Sequence, residues 1–353
     1  MKIKLAILEK DQSYLSRIVA VFNTKYADNF EIYSFTDEQI ALSTLESKKI
    51  DVFVASDVFD INVAMLPKRC GFAYFVDSAD IETIHDQQAI CKFQKVELIY
   101  KQILSVYSEN AGDVSGLKLG DDSTKIVMFC SPCGGVGTST MAAACALHYA
   151  AKGKRILYLN LEKYGSSDLV FAGEGQFDFS DIIYALKSKK ANLSIKLESC
   201  VKQAPSGVYF YSQPKVALDM LELNEEDIIR LISELSIIGA YEYIIVDIDF
   251  GMKKDLLKVY KKAHSVIWVG DGSPSSNSKV ERAFQALSII EQSEEAPLVN
   301  RVALIYNQFS SKTGTNIADV GLKSIGGAPV YLHADIRSIM EQLATMEMFE
   351  HII

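Results

Sequence analysis

The sequence predicts two α/β domains in tandem, a smaller one followed by a larger one, and three observations predict it. Over the first hundred residues, short apolar runs alternate with amphipathic stretches at strand and helix lengths. The segment SENAGDVSGLKLGDDSTK, 108 to 125, is polar, holds three glycines and has no periodicity, so it reads as a linker. Beyond it the alternation restarts on a larger scale, with strands that are almost wholly apolar, as expected when helices cover both faces of a parallel sheet. The expected boundaries are 1–107, a linker at 108–124, and 125–353. A chain of 353 residues that is 49% apolar and 23% charged has material for two such cores.

In the first domain the runs KIKLAIL, YLSRIVAVF, FEIYSF, QIALSTL, DVFVAS, FAYFVD and VELIYKQIL supply the strands and helices of a small parallel sheet. In the second, KIVMFC is a strand, a helix starts near Thr138 and runs through MAAACALHYAAK, and RILYLN is the next strand. A long middle section with helices leads to the strands YEYIIVDI, HSVIWVG and RVALIYN and to a last helix from about Asp335.

Composition excludes several function classes. A net charge of −9 opposes attraction to phosphate backbones and anionic lipid, so no strong nucleic-acid binding is expected. No run approaches the length of a transmembrane segment, and MKIKLAILEKDQ meets polar and acidic residues too early for a signal peptide, which points to the cytoplasm. The six cysteines are scattered through apolar stretches and read as small core residues. Cys130 and Cys133 form a C-x-x-C, but the glycines that follow remove the helix start a redox pair needs. The C-terminal stretch places Ile336, Ile339, Met340 and Leu343 on one helical face, yet its charges are mainly acidic, so it is expected to pack on the sheet or a partner subunit rather than on lipid.

The informative stretch is KIVMFC-SPCGGVGTST-MAAACALHYAA. A phosphate loop needs a buried strand, a glycine turn whose N–H groups converge on an anion, and a helix whose N-terminus faces the same point. The candidate contacts are Cys133, Gly134, Gly135, Val136, Gly137, Thr138, Ser139 and Thr140, with Ser139 and Thr140 placing hydroxyls on the first helical turn. Against the pattern G-x-x-x-x-G-K-[ST], however, Pro132 stands at the first glycine and Thr138 at the lysine.

From Ser131 the run SPCGGVGTSTMAAACA resembles the deviant Walker A loop of the MinD and ParA ATPases, usually SPKGGVGKTT. Cys133 then falls at the family's signature lysine and Thr138 at its ordinary loop lysine. RILYLNLEKYGSSDL resembles the second strand and first switch, with Asn160 and Glu162 at two aspartate positions. YEYIIVDIDFG resembles the Walker B strand, with Asp247 as the carboxylate near magnesium and Asp249, Phe250 and Gly251 in the next switch. ALIYNQFSS resembles the strand end whose asparagine, here Asn307, recognises adenine. The resemblance implies a P-loop NTPase-like parallel sheet flanked by helices, binding ATP and Mg2+ through these residues, with Ser139 and Asp247 at the metal and Glu162 near the attacking water. With both lysines missing, backbone N–H groups, the helix dipole and the metal are left to hold a triphosphate, and hydrolysis is expected to be very slow or absent. Lys253 and Lys254 are the nearest replacement candidates in sequence, although a solvated charge pair is the simpler reading.

The opening MKIKLAILEKDQSYLSRIV resembles a two-component receiver, a flavodoxin-like fold, with Glu9 and Asp11 near its acidic pair, Ser56 in place of the phosphoacceptor aspartate, Ser78 near the switch hydroxyl and Lys92 at the invariant lysine. A degenerate receiver ahead of a MinD-like domain resembles the layout of the TadZ and CpaE proteins. That resemblance implies a homodimeric, ATP-binding localisation factor of the tight-adherence (Flp type IV pilus) secretion apparatus. It would sit at a cell pole or the inner membrane face and recruit the machine's other proteins. Two rivals stand beside it: a nucleotide-free scaffold, and a ParA-type DNA-partition ATPase, which would call for a basic surface and intact lysines.

Overall fold

The computed structural model describes residues 2–110, 124–165, 167–188, 192–292, 297–317 and 321–352, so most of the 108–124 segment lies outside it. The described chain forms two compact units, one of Met1–Leu117 with Ser188–Cys200 and one of Lys118–Lys187 with Val201–Ile353.

The first unit runs β1 (Ile3–Leu8), α1 (Gln12–Lys25), β2 (Phe30–Phe35), α2 (Glu38–Ser47), β3 (Val52–Ser56), β4 (Gly71–Val76), β5 (Thr83–Ile84), β6 (Gln87–Cys91) and α3 (Val96–Asn110). Strand order is β2-β1-β3-β4-β6-β5, parallel except for the short β5 paired antiparallel to β6. Because both sheet faces are covered, β3 and β4 are buried at every position. Asp11 and Asp37 cap α1 and α2 by accepting backbone N–H bonds, so Asp11 serves the helix start. One contributor lies far along the chain: the helix Leu193–Cys200 packs on α3, with Ile195 in the same core as Phe22, Phe30 and Tyr100.

That helix brings Glu198 beside Lys101 and Glu97. Burial pushes the Glu198 carboxyl up to about 7, Lys101 pulls it back and Glu97 adds to the rise. The folded protein therefore keeps a proton that the unfolded chain, with a glutamate near 4.3, releases first. Stability from this group is complete below about pH 4 and is lost as pH rises towards 7. Glu198→Gln is expected to flatten the slope of urea midpoint against pH between about 4.5 and 7, and an unchanged slope would contradict it.

The second unit runs β7 (Lys125–Cys130), α4 (Thr138–Ala151), β8 (Ile156–Asn160), α5 (Phe179–Lys187), then α6 (Leu193–Cys200), which belongs to the first unit, and β9 (Lys202–Gln203), β10 (Tyr209–Phe210), α7 (Leu218–Leu221) and α8 (Glu225–Ile238). It continues with β11 (Tyr243–Asp247), α9 (Lys254–Tyr260), β12 (Ser265–Gly270), α10 (Pro274–Ile290), β13 (Val302–Phe309), β14 (Lys323–Pro329) and α11 (Ile336–Leu343). The sheet order is β14-β13-β12-β7-β11-β8-β10-β9, with only β9 antiparallel. The chain leaves β7 for β8 on one side and later places β12 on the other, so a crevice opens at the carboxyl ends of these central strands. The small-residue run Ala142–Ala146 lets α4 lie close beneath the sheet, and α11, whose Met340 and Leu343 are buried, packs on it. The expected amphipathic C-terminal helix thus packs within its own unit, although Ile336 stays 48% exposed.

Candidate functional site

The loop between β7 and α4 lies at the crevice. Gly135 and Gly137 adopt left-handed φ of 79° and 78°, and Gly137 caps α4 without a side-chain hydrogen bond. Cys133 N–H donates to Ser131 Oγ at 2.9 Å, and Ser131 Oγ donates to the Val269 carbonyl, which fastens the start of the turn to β12. Among the described residues, the N–H groups of Gly134, Gly135, Gly137, Thr138, Ser139 and Thr140 have no acceptor. They form a row of unpaired donors at a helix N-terminus, the backbone geometry of an anion cradle.

Neither family lysine position is equivalent to the other in space. Thr138 is partly exposed at the helix start. Cys133 is 5% exposed and turned inward, its Sγ 3.3 Å from Ser276 Oγ and 3.5 Å from the Ser276 carbonyl in the first turn of α10. Lys253 and Lys254 are exposed at the start of α9 and form no ion pair among the described residues. All six cysteines are buried and free, and burial pushes the Cys130 thiol up to about 12, as core thiols behave.

Carboxylates and their supports fill the other side of the crevice. β8 and β11 pair in register with Asn160 opposite Asp247 and Tyr158 opposite Ile245. Asp247 is fully buried; its Oδ2 accepts the Tyr158 hydroxyl at 2.9 Å, and its Oδ1 has no hydrogen-bond partner. Burial holds its carboxyl well above the usual carboxylate range, the charge of Glu162 adds to the shift, and Tyr158 and Ser139 offset part of it. Ser139 Oγ donates to Glu162 Oε2 at 2.9 Å, while the Glu162 N–H donates to Asn160 Oδ1 at 2.9 Å. Gln213 Nε2 donates to the Asn160 carbonyl at 3.1 Å, and the Lys163 N–H to Asp249 Oδ2 at 3.0 Å. The structure therefore brings Ser139, Glu162 and Asp247 together beside the glycine turn. Asn160 acts as the brace of this group; Tyr158 and Gln213, absent from the sequence reading, complete it.

Asn307 is buried at the end of β13, and its Nδ2 donates to the Val136 carbonyl at 2.9 Å. Its amide N–H thus ties β13 to the glycine turn. Tyr306 and Phe309, on either side of it, line a cavity of about 440 Å³ with Asn316, Ser324 and Pro329.

At the corresponding end of the first unit, Lys92 Nζ lies 2.6 Å from Asp77 Oδ1 and 3.3 Å from Glu9 Oε2. Burial works against the Lys92 charge, but the two carboxylates outweigh it and raise its pKa. Ser56 is fully buried and its hydroxyl has no partner, while Asp57 points to solvent and Ser78 is engaged with Asp80. An ammonium occupies this acidic end, and the residue at the phosphoacceptor position is closed off from solvent.

Residues 1–108 match the family model described as TadZ-like, receiver domain. Among solved structures, the chain is similar to a ParA family ATPase from Chlorobium tepidum TLS, at 18% identity and a TM-score of 0.51, over 66% of this chain and 97% of that one. It is also similar to the septum site-determining protein MinD complexed with Mg-ADP from Pyrococcus horikoshii OT3, at 15% identity and a TM-score of 0.48, over 63% of this chain and 94% of that one. At such identity the first of these likenesses establishes a shared fold. No curated protein matches the chain. The chain thus joins a TadZ-like receiver domain to a ParA-type α/β fold.

Proposed function

We propose that this protein is an ATP-binding, dimer-forming localisation factor of a tight-adherence (Flp type IV pilus) secretion apparatus. It recruits the other components to a cell pole from the cytoplasmic side, with very slow or no hydrolysis. The observation that carries the nucleotide reading is the row of unpaired N–H groups from Gly134 to Thr140 at the start of α4, which face no protein acceptor. The role in assembly rests on the TadZ-like receiver domain at residues 1–108.

The residues fit the nucleotide and its metal. Ser139 Oγ, Asp247 and Glu162 are hard oxygen donors of the kind magnesium takes, and the unpartnered Oδ1 of Asp247 is a buried acceptor waiting for a cation. Magnesium bound there would neutralise part of a triphosphate's charge, which the two missing lysines do not. The loop N–H groups would bind phosphate oxygens and Asn307 would orient the base. Turnover is a different demand, since phosphoryl transfer needs positioned cationic charge, and Glu162 is engaged by Ser139 rather than free to hold water. The net charge of −9 weighs against a DNA-partition role. No helix among the described residues is long and apolar enough to cross a membrane.

Calorimetric titration of the purified chain with ATP and magnesium, paired with sedimentation, tests the reading. Saturable binding accompanied by a shift to dimer mass is expected. A well-folded protein that takes up no nucleotide at millimolar ATP would favour the scaffold reading instead.

A further inference from the structure

Tyr158 is the one hydroxyl in the strand ILYLN, whose residues before Asn160 are otherwise apolar, and it is buried to 1% exposure. A phenylalanine would fill the same space, so the oxygen calls for a reason. The register supplies it. Tyr158 and Asn160 are two apart on β8 and share a face, and Asp247 stands opposite Asn160 on β11, which makes Asp247 the diagonal neighbour of Tyr158 within reach of a long aromatic side chain. The ring is held at its flank by Phe171, whose centroid lies 5.2 Å away at a steep angle. Its hydroxyl has one proton to give, and Asp247 Oδ2 takes it at 2.9 Å; its other hydrogen-bonding neighbour among the described residues, Asn160 Nδ2 at 3.5 Å, can only donate.

We infer that Tyr158 is a positioning residue of the candidate site: its hydroxyl fixes the Asp247 side chain through Oδ2 and so reserves Oδ1 as the free acceptor for a divalent cation. This rests on the proposed nucleotide reading and deepens it. Oδ1 is fully enclosed and accepts no hydrogen bond, the neighbouring Ser139 hydroxyl being donated to Glu162 Oε2, although a carboxylate free to rotate could give either oxygen to the tyrosine. Without the hydroxyl both oxygens become equivalent and the carboxyl loses its single orientation. Since neither loop position carries a lysine, the cation must offset more of the phosphate charge, and a poorly oriented Asp247 is felt as a higher metal requirement.

The test is binding of a fluorescent ATP analogue to the full chain as magnesium is varied, in wild type, Tyr158→Phe, Asp247→Asn and their double variant, with Tyr158→Phe/Asp247→Leu as a folding control. Tyr158→Phe is expected to raise the magnesium concentration at half-maximal binding by about five- to tenfold, the worth of one ordinary hydrogen bond. Binding without metal should stay unchanged, and the shift should vanish in the Asp247→Asn background. A folded Tyr158→Phe with an unaltered magnesium requirement, or an equal shift with and without the Asp247 carboxylate, overturns the inference. So does a single variant that fails to fold where Tyr158→Phe/Asp247→Leu folds, since that assigns the hydroxyl to stability alone. Wild type that binds no analogue at any magnesium concentration removes the nucleotide reading and this inference with it; binding that ignores position 158 removes the inference only.

Discussion

Gly137→Ala is expected to abolish saturable ATP binding and to cost about 2–4 kcal/mol of folding stability, summing the strain of a left-handed side chain and the loss of one buried hydrogen bond. The residue holds φ at 78°, and a Cβ added there would lie 2.4 Å from Asn307 Nδ2, the atom that ties β13 to Val136. The substitution therefore strikes the turn, the cap of α4 and the Asn307 brace at once. Gly134 is the control. Nothing lies within 4 Å of a Cβ built there, and its φ is outside the left-handed region. Gly134→Ala should keep stability within about 0.5 kcal/mol. Gly134→Glu should fold equally well and weaken ATP binding by about tenfold or more, because it brings a carboxylate to the rim of the donor row. Urea unfolding and calorimetry on the three variants separate damage to the fold from damage to the cradle. Equal stability of all three would contradict the strain argument.

Much of the fold could be read in the sequence because apolar periodicity is local information. KIVMFC, RILYLN, YEYIIVDI, HSVIWVG and RVALIYN all contain strands, and the helix expected from Thr138 begins there. What periodicity could not foretell is where an amphipathic segment finds its partner. LSIKLESC looks like any helix of the second domain, yet it packs on α3 of the first unit, with Ile195 buried in that unit's core. The short β9 likewise leaves no local signal: a two-residue strand carries no period to detect. Strand order, which creates the crevice, depends on long-range pairing and leaves no local trace.

The candidate site shows the same division. Glycine spacing marked the turn, and the resemblance of RILYLNLEKYGSSDL and YEYIIVDIDFG to the family's segments marked Glu162 and Asp247; Ser139 on α4 hydrogen-bonds Glu162. Asn307, assigned to the base by resemblance, is found bracing Val136, a contact between residues far apart in sequence. Tyr158 was missed because a tyrosine in an apolar strand is ordinarily a core residue. Its place two residues before Asn160, on the same face, was the available signal.

The two absent lysines are predicted to respond in opposite ways when restored. Thr138→Lys should fold within about 1 kcal/mol of wild type, since position 138 is partly exposed and a long side chain can reach solvent. With its ammonium free to meet phosphate, it should tighten ATP binding by about tenfold, one charge-assisted contact, and lessen the dependence on magnesium. Cys133→Lys meets a different environment. The thiol is 5% exposed against the first turn of α10, where Ser273 caps the helix and the N-terminal end of the dipole repels positive charge. An ammonium there must be buried unpaired or must drag the turn open, at a cost of about 3 kcal/mol or more. Urea midpoints and ATP titrations on both variants decide the matter. The expected pattern is a stable Thr138→Lys with tighter binding and an unstable Cys133→Lys with weaker binding. Two equally stable variants would mean that the inward set of Cys133 is not fixed by its packing, and the loop would then be free to present a lysine from either position.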